Sequence, residues 1–401
     1  MKTPRNTSKS RILVITSTYP RHADDYAVPW MREIHAQLKA SGNKVTVMAP
    51  SYKGLKSHTL DGISVRRFRY APANIETLTH EEGATYKVRK PYMQLLAIPY
   101  ILIGCLYAAW LALGGKYDVI HVHWPFPHGL MGQVARLVGR CPLVVMSHGA
   151  EFSLARRKKW VTPFLRQSLR AADLCIANSS DTASKVTGLS ERPCHVLPYG
   201  TTVSAAAIEQ KPADRPRVLF TGRLIERKGL EYLLQAIPMI LSRVPNADFI
   251  ITGDGDQRER LEKLSQELGL NDVVTFLGFV SKEELARQYA QCNVWVNPGI
   301  VDSWGDAEGL GVGSIEAYSY FKPVVASRVG GIPDTIRDGE TGYLVPQKDS
   351  PALANAICDL LVDPEKCRRF GKAGFEFAKR TFSWKRIVRE LENMYLNAAA
   401  T

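Results

Sequence analysis

Residues 217–253 read RVLFTGRLIERKGLEYLLQAIPMILSRVPNADFIITG. A short apolar run, RVLFTG, gives way to a basic loop. An amphipathic helical pattern follows, and a second apolar run, ADFIITG, closes the unit. Strand, helix and strand in that order build a parallel sheet covered by helices. The pattern continues through DVVTFLG, NVWVNP, KPVVAS and GYLVP. It also runs ahead of this stretch, in RILVITS, KVTVMAP, ISVRRF, DVIHVHW, PLVVMSH, DLCIANS and CHVLPYG. Helical stretches such as Val28–Lys39 and Leu130–Val138 lie between those runs. The two series are separated by TTVSAAAIEQKPADRP (201–216), a small, polar segment with two prolines that reads as a linker. The expected fold class is therefore α/β, with two doubly wound, Rossmann-like parallel-sheet domains facing a central cleft. The expected boundaries are 1–200 for the first domain, 201–216 for the linker and 217–380 for the second domain. A helix is expected over 381–401.

A chain of 401 residues is too long for one core and suits two domains. With 45% hydrophobic and 23% charged residues it is neither disordered nor fibrous. The net charge of +13 is unevenly spread. Residues 1–200 carry 27 Lys and Arg against 12 Asp and Glu, a surplus of +15, whereas 201–401 carry 25 against 27. All nine histidines also fall in 1–200. A surplus confined to one domain points to an anionic partner for that domain, and no nucleic-acid partner is expected. Seven cysteines without a C-x-x-C pair argue against a disulfide framework or zinc knuckle and for a reducing compartment. The start, MKTPRNTSKSR, is followed by only seven residues of apolar strand pattern, so no secretory signal is expected. Residues 91–115, PYMQLLAIPYILIGCLYAAWLALGG, carry no charge and are long enough to span a bilayer. They contain Gln94, Pro99 and Gly104 and run straight into the strand pattern KYDVIHVHW, so a buried or surface-lying helix is expected instead.

Ligands of such sheets sit at the carboxyl ends of strands. His148, Gly222-Arg223, Gly253-Asp254 and Asn297-Pro298 all fall there. The densest constellation is DSWGDAEGLGVGSIEAYSYFKPVVASRVGGIPD (302–334). Seven residues separate Glu308 from Glu316, with Gly309, Gly311 and Gly313 between them. A loop turning into a helix near 309–313 would offer free N–H groups to an anion. Glu316 would then lie about 12 Å from Glu308 at the helical rise. Ionised carboxylates only accept hydrogen bonds, so the pair suits hydroxyl-bearing sugars on either side of a diphosphate. One capping and one exposed glutamate would give the same spacing. In FTGRLIERKGLEYLLQAI, Arg223 and Lys228 can neutralise a diphosphate. Arg227 beside them reads as solvated.

These motifs carry a resemblance. EGLGVGSIE, GRLIERKG, GDGDQRERLE, FLGFV, ASRVGGIPDTIRDGETGYLVP, and HVHW followed by SHGAE resemble the retaining glycosyltransferases of family four, with GT-B architecture. The resemblance covers nearly the whole chain and is strongest over 217–348. It implies transfer of a sugar from a nucleotide diphosphate donor with retention of configuration and no metal or other cofactor. It implies catalytic roles for His148, Glu308, Arg223 and Lys228. Glu308 would hold the donor sugar, with Gly309, Leu310 and Gly311 beside it, and Glu316 would hold the ribose. Arg223 and Lys228 would bind the diphosphate beside Gly222, and the backbone of Phe279 and Val280 would border the base. His148 would reach the sugar from the other domain on closure, and the terminal helix would cross back to the first domain. The loop after the first strand, TYPRHADDYAVPW, lacks the glycine pair of many relatives. Roles for Asp24, Asp25 or Tyr26 therefore have little support, and the acceptor side departs from the best-known relatives.

Two lookalikes are set aside. Asp254-Gly-Asp256 belongs to a Gly-rich turn rather than a metal site. His121 and His123 share one face of a strand without an evident third ligand, which favours packing or cleft lining. Residues 154–171, LARRKKWVTPFLRQSLRA, place Val161, Phe164, Leu165, Ser168 and Leu169 at helical spacing. Arg156, Arg157, Lys158, Lys159, Arg166 and Arg170 surround Trp160. An interfacial helix on an anionic membrane has this composition, as does a docked helix with a basic edge. The expected activity is transfer of a hexose from a UDP- or GDP-sugar to an acceptor hydroxyl, lipid-linked or saccharide. The alternatives are a phosphorylase, a nucleotide-sugar hydrolase or epimerase, and a non-catalytic nucleotide-sugar-binding subunit. The expected location is the cytoplasm, peripheral on the inner face of its membrane.

Overall fold

The computed structural model describes residues 9–25, 28–80, 91–115, 117–201 and 213–400. Tyr26 and most of the expected linker lie outside the described residues. The chain divides into two compact units, Met1–Gly200 with Trp384–Thr401, and Thr201–Ser383.

The first unit runs β1 (Arg11–Ile15), α1 (Pro29–Ala40), β2 (Lys44–Pro50), β3 (His58–Leu60), β4 (Ile63–Phe68), α2 (Pro91–Gly115) and β5 (Val119–His123). It continues through α3 (Pro125–Gly139), β6 (Leu143–Ser147), α4 (Ala150–Arg157), α5 (Val161–Arg170), β7 (Leu174–Ala177), α6 (Ser180–Ser190) and β8 (Cys194–Val196). Among the described residues these strands form one sheet of eight, ordered β3-β4-β2-β1-β5-β6-β7-β8. All neighbours are parallel except β3 with β4. The order reverses between β1 and β5, whose register pairs Ile12 with Val119. Alternation along each strand fills two cores. Leu13, Ile15, Ile120 and Val122 face α2, α3 and α5, while Ile12, Val14 and Val119 face α1 and the opposite layer.

The second unit runs β9 (Arg217–Thr221), α7 (Leu230–Leu241), β10 (Asp248–Thr252), α8 (Arg258–Glu267), β11 (Val274–Gly278) and α9 (Lys282–Gln291). Then come β12 (Val294–Asn297), α10 (Val312–Ser319), β13 (Val324–Ser327), β14 (Gly342–Val345), α11 (Ser350–Leu361) and α12 (Pro364–Thr381). Its sheet is wholly parallel, ordered β11-β10-β9-β12-β13-β14, so its switch point lies between β9 and β12. Val218, Phe220, Phe249 and Ile251 pack under α7 and α11.

The last helix, α13 (Trp384–Ala400), returns to the first unit. Trp384, Ile387, Leu391 and Tyr395 complete the core beneath β1 and β5. Glu392 accepts hydrogen bonds from Ser41 Oγ at 2.7 Å and Asn43 Nδ2 at 2.6 Å. The ends of the second unit meet: Thr201 N–H donates to the Phe382 carbonyl at 2.8 Å, and Thr201 bridges Ser383.

Both doubly wound, parallel-sheet domains expected from the apolar runs are present. Two local readings change. The strand β3 was not foreseen: its three residues are short, and Asp61 and Gly62, both at positive φ, form the hairpin turn to β4. The stretch 154–171 is two helices, α4 and α5, rather than one pattern. Val161, Leu165, Ser168 and Leu169 are buried as spaced, but Phe164 is exposed beside Phe126 and Trp160. Residues 91–115 form one helix, as expected. Tyr100, Ala108, Leu111 and Ala112 bury one face of it, and its outer face is open.

Candidate active site

A cavity of about 400 Å³ opens in the second unit at the carboxyl ends of β9, β10 and β12, at the switch point. Its walls include Gly222, Arg223, Lys228, Phe279, Val280, Glu308 and Glu316. Residues up to 95 positions apart in the chain thus meet in one place (Thr221 to Glu316). Thr221, Thr252, Leu285, Trp295, Asn297, Val312 and Gly313 complete it. Gly309, Leu310 and Gly311 are not among the lining residues. Leu310 buries its side chain, and Gly311, at φ 83°, caps α10. The helix starts at Val312, within the expected 309–313, and Glu316 sits just over one turn along it.

The loops that carry the site are tightly fitted. Gly253, at φ 110°, lies so close to Gly222 that a Cβ would stand 2.0 Å from the Gly222 carbonyl oxygen. Arg227 is an anchor rather than a solvated side chain: it pairs with Asp306 at 3.0 Å, and its carbonyl accepts from Ile300 N–H. This ties the 3₁₀ turn Glu226–Lys228 to the loop that leads to Glu308.

Lys228 Nζ lies 2.6 Å from Glu308 Oε2. Burial pushes the Glu308 carboxyl up, but Lys228, Arg227 and Arg223 outweigh it and hold it below the usual range. Glu316 has different surroundings. Its side chain is exposed at the cavity, but protein atoms around the carboxyl desolvate it and push its pKa up, partly offset by Tyr289 and Lys228. Tyr289 Oη donates to Glu316 Oε2 at 3.2 Å and sits 3.0 Å from Thr221 Oγ1. Trp295 Nε1 donates to the same Thr221 oxygen at 3.0 Å, and Tyr289 stacks on Tyr320. This chain of side chains sets the direction of Glu316. At the rim Phe279 is 79% exposed, a flat apolar surface of the kind a nucleobase stacks on.

Sequence reasoning missed Tyr289 and Trp295. Both are buried aromatics on regular elements and look like core; only the third dimension brings them under Glu316. Asn297 was noted as a strand end. Its buried Oδ1 lacks a partner among the described residues, and the residue lines the cavity.

His148 belongs to the first unit. Its Nε2 is 3.0 Å from His123 Nδ1, and its Nδ1 is 2.7 Å from Tyr199 Oη. Its backbone N–H donates to Glu151, and Trp30, Trp124 and Tyr199 flank the ring. Burial lowers its pKa to about 3, so the ring is neutral. Contact with a substrate requires exchange of one of these two ring bonds. The other lookalikes are also engaged. His121 Nδ1 meets Tyr395 Oη at 2.7 Å, and Asp254 pairs with Arg258. Asp25 pairs with Arg21 at 2.6 Å and is nearly buried, which makes it a structural group of the loop after β1.

Two family models match end to end: "Glycosyltransferase Family 4" over residues 29–204 and "Glycosyl transferases group 1" over 204–377. The chain belongs to the family-four glycosyltransferases. This glycosyltransferase is 31% identical over 298 residues to the GDP-mannose-dependent alpha-(1-6)-phosphatidylinositol monomannoside mannosyltransferase of Mycolicibacterium smegmatis, covering 68% of this chain and 75% of that one. It is 28% identical over 402 residues to the mannosyltransferase of the same name from Mycobacterium tuberculosis, covering 95% and 97%. Sucrose-phosphate synthase from Thermosynechococcus elongatus superposes with a TM-score of 0.76 at 26% identity, over 97% of this chain and 99% of that structure.

Proposed function

We propose that this glycosyltransferase moves mannose from GDP-mannose to a hydroxyl of a lipid-linked acceptor, with retention of configuration and without a metal. The observation that carries the reading is the cavity itself. It holds a Lys228–Glu308 pair and a Tyr289-directed Glu316 at the switch point of a nucleotide-binding sheet. The names of the mannosyltransferase relatives support the donor and the acceptor class. In this reading Arg223 and Lys228 grip the diphosphate beside Gly222, and Phe279 and Val280 border the guanine. Glu316 accepts from the ribose and Glu308 from the sugar hydroxyls, with the backbone of Gly309, Leu310 and Gly311 leading into α10. Carboxylates discriminate here because they accept hydrogen bonds and donate none.

The chemistry follows from the charges. Breaking the glycosidic bond to phosphate leaves negative charge on the diphosphate, and two fixed cations stabilise it as it forms. The acceptor oxygen attacks the face that the diphosphate leaves, and the departing phosphate oxygen takes the acceptor proton. No side chain is asked to act as nucleophile. His148 supplies a neutral hydrogen-bonding group from the first unit. The basic segment Arg156–Lys159, with Arg166 and Arg170, is proposed to meet anionic lipid around the acceptor. Arg166 and Arg170 also bond the end of α6, so the exposed Lys158 and Lys159 carry most of this role.

Calorimetric titration with GDP and UDP, followed by turnover of GDP-mannose with and without EDTA, tests the reading. Tighter binding of UDP overturns the base, and loss of turnover with EDTA overturns metal independence. Glu308→Ala is expected to abolish transfer while nucleotide still binds; wild-type turnover in this variant overturns the site.

A further inference from the structure

The outer face of α2 is apolar along its whole length. Leu95, Ile98, Leu102, Leu106, Trp110 and Leu113 recur every three or four residues and are each between 59% and 71% exposed. At the helical rise the stripe is about 27 Å long. No charged residue occurs from Pro91 to Gly115, so neither edge of the stripe is charged within the helix. Surface helices of soluble domains put polar residues on this face, and a contiguous apolar strip of this size marks an interaction site.

The stripe is held rigidly. Tyr100 Oη, on the inner face of α2, meets His128 Nε2 of α3 at 2.8 Å, and Gly104 fits against Met131. On its other side α3 packs against α5, with Gly129 against Ser168. Phe126, at the start of α3, touches Trp160 and Phe164. Helices α2, α3 and α5 therefore form one layer on one face of the sheet. Exposed Trp160 and the cations Arg156, Lys158 and Lys159 stand at the same layer's edge.

We infer that this layer is a membrane-insertion face, with the α2 stripe buried among the acyl chains of an anionic leaflet and the α4–α5 cations at its headgroups. This deepens the reading of a lipid-linked acceptor and rests on it for the biological purpose of docking. Charge selects the occupant. A second copy seated on the stripe would bring together two domains that each carry 27 basic and 12 acidic residues. An anionic bilayer is attracted by that same surplus and offers the stripe an apolar solvent. Tryptophans at positions 110 and 160 suit the boundary between the two environments. The helix is not read as a span, because Tyr100, Ala108, Leu111 and Ala112 are committed to the protein core.

The test is co-sedimentation of the full chain with vesicles of phosphatidylcholine alone and with vesicles that also contain phosphatidylglycerol. Wild type is expected to bind both, and the anionic vesicles more tightly. Leu102→Glu with Leu106→Glu, both at exposed positions, is expected to lower partitioning to either vesicle roughly ten-fold or more. Lys158→Glu with Lys159→Glu is expected to remove only the preference for phosphatidylglycerol. Unchanged hydrogen-exchange protection of first-unit peptides, with an unchanged thermal unfolding midpoint, shows that each variant is folded. Wild type that stays in the supernatant with both vesicles, or a Leu102/Leu106 variant that sediments like wild type, overturns the inference. A wild-type dimer that the same variant converts to monomer, without vesicle binding, also overturns it and gives the face to a second copy. The vesicle measurement needs neither donor nor acceptor, so its failure is separate from failure of the proposed transfer.

Discussion

Glu308 and Glu316 face one cavity under opposite electrostatic conditions. Glu308 sits against Lys228 with Arg227 and Arg223 nearby, and stays ionised to lower pH than an ordinary glutamate. Glu316 is exposed at the cavity, yet the protein atoms around its carboxyl push it up. A group that must be ionised to accept ribose hydroxyls loses function as pH falls through its own pKa. Nucleotide affinity is therefore expected to weaken on acidification beginning above the ordinary glutamate value of 4.5. Calorimetry across pH checks this. Glu316→Gln should flatten the profile, and a flattened profile in Glu308→Gln but not in Glu316→Gln would reverse the assignment. Tyr289→Phe removes the hydrogen bond that directs Glu316 and leaves the stack on Tyr320. It is expected to raise the nucleotide Kd about five- to ten-fold with little change in thermal stability. The carboxylates were legible in the sequence because glycines and a helix start surround them. Tyr289 was not, since nothing in KEELARQYAQ separates a directing tyrosine from a packing one.

Among the elements, the apolar runs named from the sequence each became a strand, and those such as β5 and β6, buried on both faces, read as uninterrupted hydrophobic words. The strand β3 escaped for the converse reason: HTL is short, polar at its start and on the sheet's edge. Its one signal was the Asp61-Gly62 turn. The start of α10 at Val312 has a local cause, since Gly311 in the left-handed region cannot belong to the helix it caps. The terminal helix α13 shows how much an element can matter away from the chemistry. Leu391 is fully buried beneath the first unit's sheet, so Leu391→Ala is expected to cost about 2–5 kcal/mol of stability. Urea unfolding followed on first-unit peptides by hydrogen exchange measures it, and a change below about 1 kcal/mol would mean that α13 is only loosely docked.

For the whole molecule, the uneven distribution of histidine sets a pH response. All nine lie in residues 1–200, and burial lowers the pKa of His35, His121 and His148 to about 3 and of His80 and His128 to about 4. These rings are neutral in the folded unit, whereas the unfolded chain protonates them near 6.5. The unfolded state thus binds more protons, and stability is lost as pH falls from about 6.5 towards 3. Each ring contributes up to about 1.4 kcal/mol per pH unit. The second unit contains no histidine and lacks this term. Hydrogen exchange between neutral pH and about pH 5 is expected to show protection falling in the first unit before the second. Simultaneous loss would mean that the two units unfold as one.

The closed ends of the second unit have a consequence for how this enzyme can be rebuilt. Thr201 and Ser383 are neighbours, and α13 resumes the first unit where Gly200 left it, with Trp384 against Gly200. In chain terms the second unit is an insertion, a cassette with both cut sites side by side. A cassette of that kind can be exchanged in a single step for another of the same fold, while the interrupted host unit keeps its own core.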